Sequence, residues 1–311
     1  MNKFKGFLFG MTASSTFGLL PLFTLPIMSE GLTTNSILCY RMLFASVLVA
    51  VLMQVRKIAF RANLRELLWF AFLGFFYYGS ASLLFQAYGT MSSGMATTLH
   101  FLYPVGVTLI MALVFKQRPS PFTILAIILG LSGVALLSLK EGGGSSSASL
   151  VGILLVLLSG LSYAAYLVTM NNVRRVRESN NLKLTLYVLI FSALFFFLDT
   201  SLSGGLQMIP SGRALTNLLL LAFLPTLVSN LALVRAVKSI GSTLTSVLGA
   251  MEPLTAIVIG VVVFGEEVTG PMALGILLIL LSVTIIVLSP LLDKNIADRL
   301  RRLSRRPIRR Q

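Results

Sequence analysis

A carboxyl, an imidazole, a guanidinium and two residue–proline pairs stand inside stretches otherwise apolar enough for lipid. Glu252 precedes Pro253 in GSTLTSVLGAMEPLTAIVIGVVVFGEE, residues 241–267. A charged group at the centre of a bilayer costs at least ~3 kcal/mol on insertion scales, so it is retained for a use. Glu252 could hold a proton or the amine of a solute. It could equally be a neutral acid hydrogen-bonded to a neighbouring helix. His100 lies one helical turn from Tyr103, which precedes Pro104. Its imidazole could line a path as a hydrogen-bonding or pH-sensitive group, or simply bond a backbone carbonyl. Arg41, in CYRMLFAS, could clamp a carboxylate, or pair with Glu30 or reach a membrane surface along its stem. Tyr78 and Asn230 are weaker candidates, since interhelical hydrogen bonding is the commoner use of a polar residue in such a setting. Pro104 and Pro253 lack an N–H and are candidate helix breaks.

The elements that must position these groups follow from composition. The chain of 311 residues is 56% hydrophobic and 11% charged, against about 25% charged in soluble domains. Spans of about 20 mainly apolar residues are required to cross a bilayer. Ten stretches qualify, at 6–28, 34–54, 66–88, 92–115, 121–139, 150–171, 183–202, 214–235, 241–264 and 271–292. The sequence therefore reads as an all-α polytopic membrane protein. In the ninth stretch Ser242, Ser246, Gly249, Pro253, Ala256 and Gly260 recur at helical spacing, as one small-residue face open to close approach. One cysteine and one histidine exclude an internal disulfide framework and a multi-ligand Cys/His metal site. No cofactor is expected.

With the N-terminus in the cytoplasm, the basic residues fall almost entirely on one side. Only Lys140 and Arg213 lie outside, and Arg41 lies within a span. The positive-inside rule thus favours cytoplasmic N- and C-termini in a cell membrane. The net charge of +15 reflects this bias and a basic tail at 294–311 suited to anionic lipid, not nucleic acid. Glu266 and Glu267 read as a solvated turn.

The Gly/Ser-rich segment Glu141–Ser149 divides the chain. Ser93 matches Ser242, Tyr103-Pro104 matches Glu252-Pro253 and Phe115 matches Phe264, all at one offset. AFLG at 71–74 resembles AFLP at 222–225. Five spans per half is an odd number, so the second half enters from the opposite face: two inverted repeats, at 1–145 and 146–293.

These features, with MEPLTAIVIGVVVFGEEVT, FLYPVGVTLIMALVFKQRPS and CYRMLFAS, resemble the drug/metabolite transporter superfamily, EamA-type permeases. Gln117 stands where the second repeat has its acids, a departure from that family's pattern. The resemblance implies a secondary transporter of small organic metabolites, amino acids or related compounds, moved outward with protons as a candidate coupling ion. No GxxxxGK[ST] motif is present to support direct ATP drive. A carrier of phosphorylated or nucleotide-linked sugars, a polytopic membrane enzyme and a non-transporting scaffold remain as alternatives.

Overall fold

The computed structural model describes residues 3–88, 90, 96, 99–138, 150–264 and 270–304. The Glu141–Ser149 segment, Ser93, Glu266, Glu267 and the tail from 305 lie outside these residues. Among the described residues there are helices and no strands. α1 is Lys3–Phe17, α2 Leu20–Ser29, α3 Thr34–Val55, α4 Leu64–Tyr88, α5 Tyr103–Leu113 and α6 Pro121–Ser138. The second half gives α7 Leu150–Asn172, α8 Arg174–Glu178, α9 Asn181–Leu202, α10 Gly212–Leu221, α11 Ser229–Ile240, α12 Ser242–Leu248, α13 Met251–Phe264 and α14 Gly270–Ser304. A π-helical segment, Ala222–Val228, joins α10 to α11. Side-chain caps start α9 and α10: Asn180 accepts from the Leu182 N–H and Ser211 from the Ala214 N–H, satisfying donors that a helix start leaves open.

Among the described residues, six helical stretches are long and apolar enough to cross a membrane: Lys3–Ser29, Thr34–Val55, Leu64–Ala87, Leu150–Asn172, Asn181–Leu202 and Gly212–Ile240. Tyr103–Leu113, Pro121–Leu136 and Ala273–Ser289 are apolar but shorter. Besides the π segment within 214–235, three of the ten expected spans depart from a continuous helix, and 6–28 does so at the Gly18–Leu19 turn between α1 and α2. The 241–264 stretch is two pieces, α12 and α13, separated by a turn at Gly249–Ala250. The helical face expected from Ser242 to Gly260 is accordingly cut in register at Gly249. In the 92–115 stretch a turn at Phe101–Leu102 precedes α5. The physical cause is shared. Pro104 and Pro253 sit in the first turn of α5 and α13, where a missing N–H costs nothing, instead of in mid-helix as the sequence suggests.

The helices of the two halves interleave. The most extensive interfaces are α6 with α14, α4 with α7, α3 with α9, α1 with α11, and α4 with α9. Each joins the first half to the second. Small residues make the close approaches possible. A Cβ at Gly133 would stand 2.8 Å from the Gly275 carbonyl oxygen. Serine hydroxyls bond across: Ser282 to the Ala126 carbonyl (2.6 Å), Ser229 to Ala13 (2.9 Å), Ser192 to Gly74 (3.0 Å). Such contacts replace the hydrophobic drive that lipid does not supply.

The two ends differ in character. At one, Lys183 Nζ donates to the Arg61 carbonyl (3.1 Å), Tyr187 to Phe60 (2.6 Å) and Lys238 to Ser179 (2.7 Å), so three basic loops meet. At the other, the Thr33 N–H donates to Gln207 Oε1 (2.6 Å), Asn35 Nδ2 to Asp199 Oδ2 (3.3 Å) and Ser211 to Glu30. A cavity of about 530 Å³ opens there, lined by neutral polar residues including Thr33, Asn35, Ser203 and Gln207.

Candidate functional site

Helix breaks meet in the middle of the bundle. Beside those at Phe101–Leu102 and Gly249–Ala250, α1 turns at Gly18–Leu19 before α2, which has Pro21 near its start. At each break an N–H bonds the carbonyl three residues back: Leu19 to Thr16 (3.3 Å), Leu102 to Leu99 (3.1 Å), Gly249 to Ser246 (3.1 Å). Such tightening closes a helix end. The breaks touch one another. A Cβ at Gly18 would strike the Glu252 carbonyl oxygen and come within 2.7 Å of Thr255 Cβ. The Tyr103 hydroxyl fills the space a Cβ at Gly249 would need. Gly249 has φ −54°, so glycine is required there for contact and not for backbone freedom.

Between the breaks lies a cavity of about 10 Å³, bordered by Phe17, Tyr103, Tyr163, Ser229, Thr245 and Glu252 among others. That is room for about one water. Ser229 and Thr245 spend their hydroxyl protons on the Ala13 and Gly241 carbonyls. The Glu252 carboxyl has no hydrogen bond among the described residues and is free to take one.

Arg41 is buried at 4% exposure. Its Nε donates to Thr226 Oγ1 at 2.6 Å, and its guanidinium stacks over the Phe17 ring at 5.1 Å. Thr226 belongs to the π segment that Pro225 opens, since proline in a helix removes one ladder bond and clashes with the preceding turn. The Thr226 hydroxyl donates to the Leu221 carbonyl five residues back (2.8 Å). Its proton thus committed, its oxygen accepts from Arg41. The reach of Arg41 to Glu30 or a span end, expected as one option, does not occur; Glu30 bonds Ser211 instead. Arg41 interacts electrostatically with Glu252, Tyr77 and Tyr163, yet no acid among the described residues lies within 4.0 Å of it. Among the described residues the ion pairs are Arg174–Glu178 (2.8 Å) and Lys183–Glu66 (3.3 Å), both at the basic end.

His100 is half-buried, with ring centroids 5.8 Å from Tyr103 and 6.1 Å from Tyr163. Its Nδ1 is 3.0 Å from Ser159 Oγ. Ser159 donates its one hydroxyl proton to the Ser80 carbonyl, so His100 Nδ1 must be the donor and Nε2 is left as an acceptor. Tyr103 is buried, packed edge-on against Tyr163 at 4.8 Å, and Tyr163 stacks on Tyr166 at 5.9 Å.

The structure thus gathers Glu252, Tyr103, His100 and Arg41, with Pro104 and Pro253 setting the breaks, and leaves two candidates apart. Tyr78 packs on Phe196 of α9 at 4.8 Å, away from the cavity. Asn230 bridges the Thr226 carbonyl (2.8 Å) and the Tyr77 hydroxyl (3.4 Å), tying helices together. Phe17 and Thr245 at the cavity, Ser159 beside His100 and Thr226 beside Arg41 are not among the sequence candidates. Only Thr226 carried a sequence signal, as the hydroxyl following Pro225 in an apolar run.

Comparison with known proteins bears on this arrangement. The profile of the EamA-like transporter family matches residues 4–139 and 150–288. An uncharacterized transporter of Synechocystis sp. is 26% identical over 239 residues, 74% of this chain and 71% of that protein. A solved crystal structure shares the fold with a TM-score of 0.79 at 19% identity, covering 94% of this chain and 98% of the other. With both halves matched by one family profile, the chain belongs to the EamA-like transporter family, a polytopic all-α membrane protein of the drug/metabolite transporter superfamily.

Proposed function

We propose that the chain is a secondary transporter of the cell membrane that moves small organic metabolites, amino acids or related compounds, outward. Ten spans form two inverted repeats with both termini in the cytoplasm, and alternating access comes from one set of helices rocking against the other. The observation that carries this reading is the convergence of helix breaks on Glu252. Broken helices are tolerated at membrane depth where they border a cavity, and their ends offer polar backbone to a solute. The pairing pattern supports the repeats. Exchanging the halves turns the α4–α7 interface into α11–α1, and leaves α3–α9 and α6–α14 as pairs of equivalent helices. The meeting of the basic loops at one end supports the orientation. A cavity with room for one water describes a closed state, so loading requires the breaks to separate.

Arg41 is the one buried cation among the described residues. That disfavours phosphorylated or nucleotide-linked sugars, which call for several fixed positive charges. Uptake and efflux in proteoliposomes, across a panel of solutes with and without a pH gradient, tests the reading. The expected result is solute flux that Glu252→Gln abolishes or uncouples from the gradient. Flux unaltered by that substitution for every solute removes Glu252 from the mechanism.

A further inference from the structure

We infer that Arg41 sets a charge rule for the solute: its Nη2 binds the solute carboxylate while Glu252 takes the ammonium group, so the site selects zwitterions over amines and 2-oxo acids. The inference rests on the carrier reading and adds which group of the solute is held by which residue.

Arg41 Nη2 is a buried donor with no hydrogen-bond partner among the described residues. Leaving a buried donor of a charged group unpaired costs more than a hydrogen bond normally gains, and a buried charge is ordinarily paired. Among the described residues, none of the surrounding helices supplies an acid within ion-pair distance of Arg41. The rest of the side chain is held in place. Thr226 fixes Nε at 2.6 Å, and Phe17 supports the guanidinium face. Phe17 also borders the cavity that Glu252 borders. A fixed guanidinium with one free edge matches a carboxylate, whose two oxygens meet the planar fork. One such cation suits a monoanion.

Glu252 borders the cavity, and its carboxyl has no hydrogen bond among the described residues. It is coupled electrostatically to Arg41 but forms no ion pair with it, so a solute bearing both charges, admitted once the breaks separate, satisfies both where neither residue satisfies the other. A primary amine would leave Arg41 unpaired, and a 2-oxo acid would leave Glu252 unpaired. Each loses one of two desolvated interactions, which is how a buried polar site rejects an analogue.

The inverted repeat locates the cation without symmetry. Tyr40-Arg41 of the first half matches Tyr187-Val188 of the second, and Val188 of α9 approaches AFLG of α4. A Cβ at Gly74 would stand 3.2 Å from the Val188 carbonyl oxygen. In the second half, AFLP opens the π segment and Arg41 occupies the interface. Glycine in one repeat and proline in the other leave one guanidinium at the site.

The test is counterflow in proteoliposomes with the protein amino acids, their decarboxylated amines and their 2-oxo acids as probes, in wild type, Arg41→Gln and Thr226→Val. Wild type is expected to exchange amino acids and to exclude both analogue sets. Arg41→Gln is expected to raise the amino-acid KM by roughly 25-fold or more, the scale of breaking a buried charge contact, while narrowing the preference over amines. Thr226→Val keeps the charge but frees Nε, and is expected to raise KM with kcat little changed. Wild-type exchange of amines or oxo acids as efficient as that of amino acids overturns the inference and leaves the carrier reading standing. So does an equal loss for all probes in both variants, which marks Arg41 as structural, and so does flux confined to solutes outside the set. Flux of no solute above protein-free liposomes overturns the carrier reading itself.

Discussion

Gly249→Ala adds one methyl where three broken helices touch. The built Cβ falls on the Tyr103 hydroxyl, at 3.0 Å from Tyr103 Cζ and 2.8 Å from the Ser246 carbonyl oxygen. Tyr103 cannot swing aside. Its side chain is 5% exposed and held edge-on by Tyr163 at 4.8 Å. Overpacking of this kind costs about 1–3 kcal/mol. Loss of glycine returns about 0.4–1 kcal/mol through the unfolded state, so a net destabilisation of about 1–2 kcal/mol is expected. Tyr103→Phe alone removes a hydroxyl with no hydrogen bond among the described residues, and is expected to cost under about 1 kcal/mol. In Gly249→Ala/Tyr103→Phe the worst contact is gone, while Cζ and the Ser246 carbonyl still crowd. The double variant is therefore expected to recover about 1 kcal/mol, a coupling within the range for touching residues. Denaturant unfolding in detergent measures all four corners of the cycle, with Trp69, the single tryptophan, as the fluorescence probe. A Gly249→Ala variant as stable as wild type, or additivity within about 0.3 kcal/mol, refutes the claim that Tyr103 seats in the break at Gly249.

Gly18→Ala meets backbone instead of a side chain, the Glu252 carbonyl oxygen. Since that carbonyl cannot withdraw without moving α13, the same unfolding assay is expected to show a larger loss than Gly249→Ala, with no rescue by Tyr103→Phe. Ser159→Ala strands the His100 Nδ1–H and is expected to cost about 1–3 kcal/mol; His100→Asn, which lets a shorter amide donate toward Ser159, is expected to cost less in thermal melts. Pro225→Ala permits the missing helical bond to form, closing the π segment and turning Thr226 away from Arg41. It is expected to stabilise the fold while weakening solute affinity, measured by melting temperature and by KM together. A variant that gained in both would show that the segment does not serve Arg41.

The sequence carries the site's chemistry better than its geometry. Composition and the one-sided distribution of Lys and Arg suffice to place the chain in a membrane, because the bilayer imposes a strict length and charge rule. The internal match of Tyr103-Pro104 with Glu252-Pro253 marks two of the break points. What it conceals is that each proline begins a helix and does not bend one. A proline in mid-span and a proline in the first turn of a new helix read alike until the turn before them is seen. The break at Gly18–Leu19 carries the same mark, Pro21 in the first turn of α2, but no polar residue beside that proline singles it out. Arg41 is visible as an oddity, but whether it reaches for water or for the interior depends on Thr226, a residue 185 positions away. Tyr78 and Asn230 do not border the cavity, for a rotational reason. One residue along a helix turns a side chain by about 100°, which separates Tyr77 from Tyr78 and Ser229 from Asn230.

The interleaving of the halves governs how the protein can be made. Ribosomes deliver α1 to α6 first, but the largest faces of those helices belong to partners not yet synthesised. The serine that seals Ala13 of α1 arrives 216 residues later. A nascent first half must therefore wait in the bilayer with its glycine and serine surfaces unmatched. Final assembly is a late, concerted docking of helices already inserted, and it cannot proceed one half at a time. Truncation anywhere before α11 is expected to leave no half-sized folded remnant.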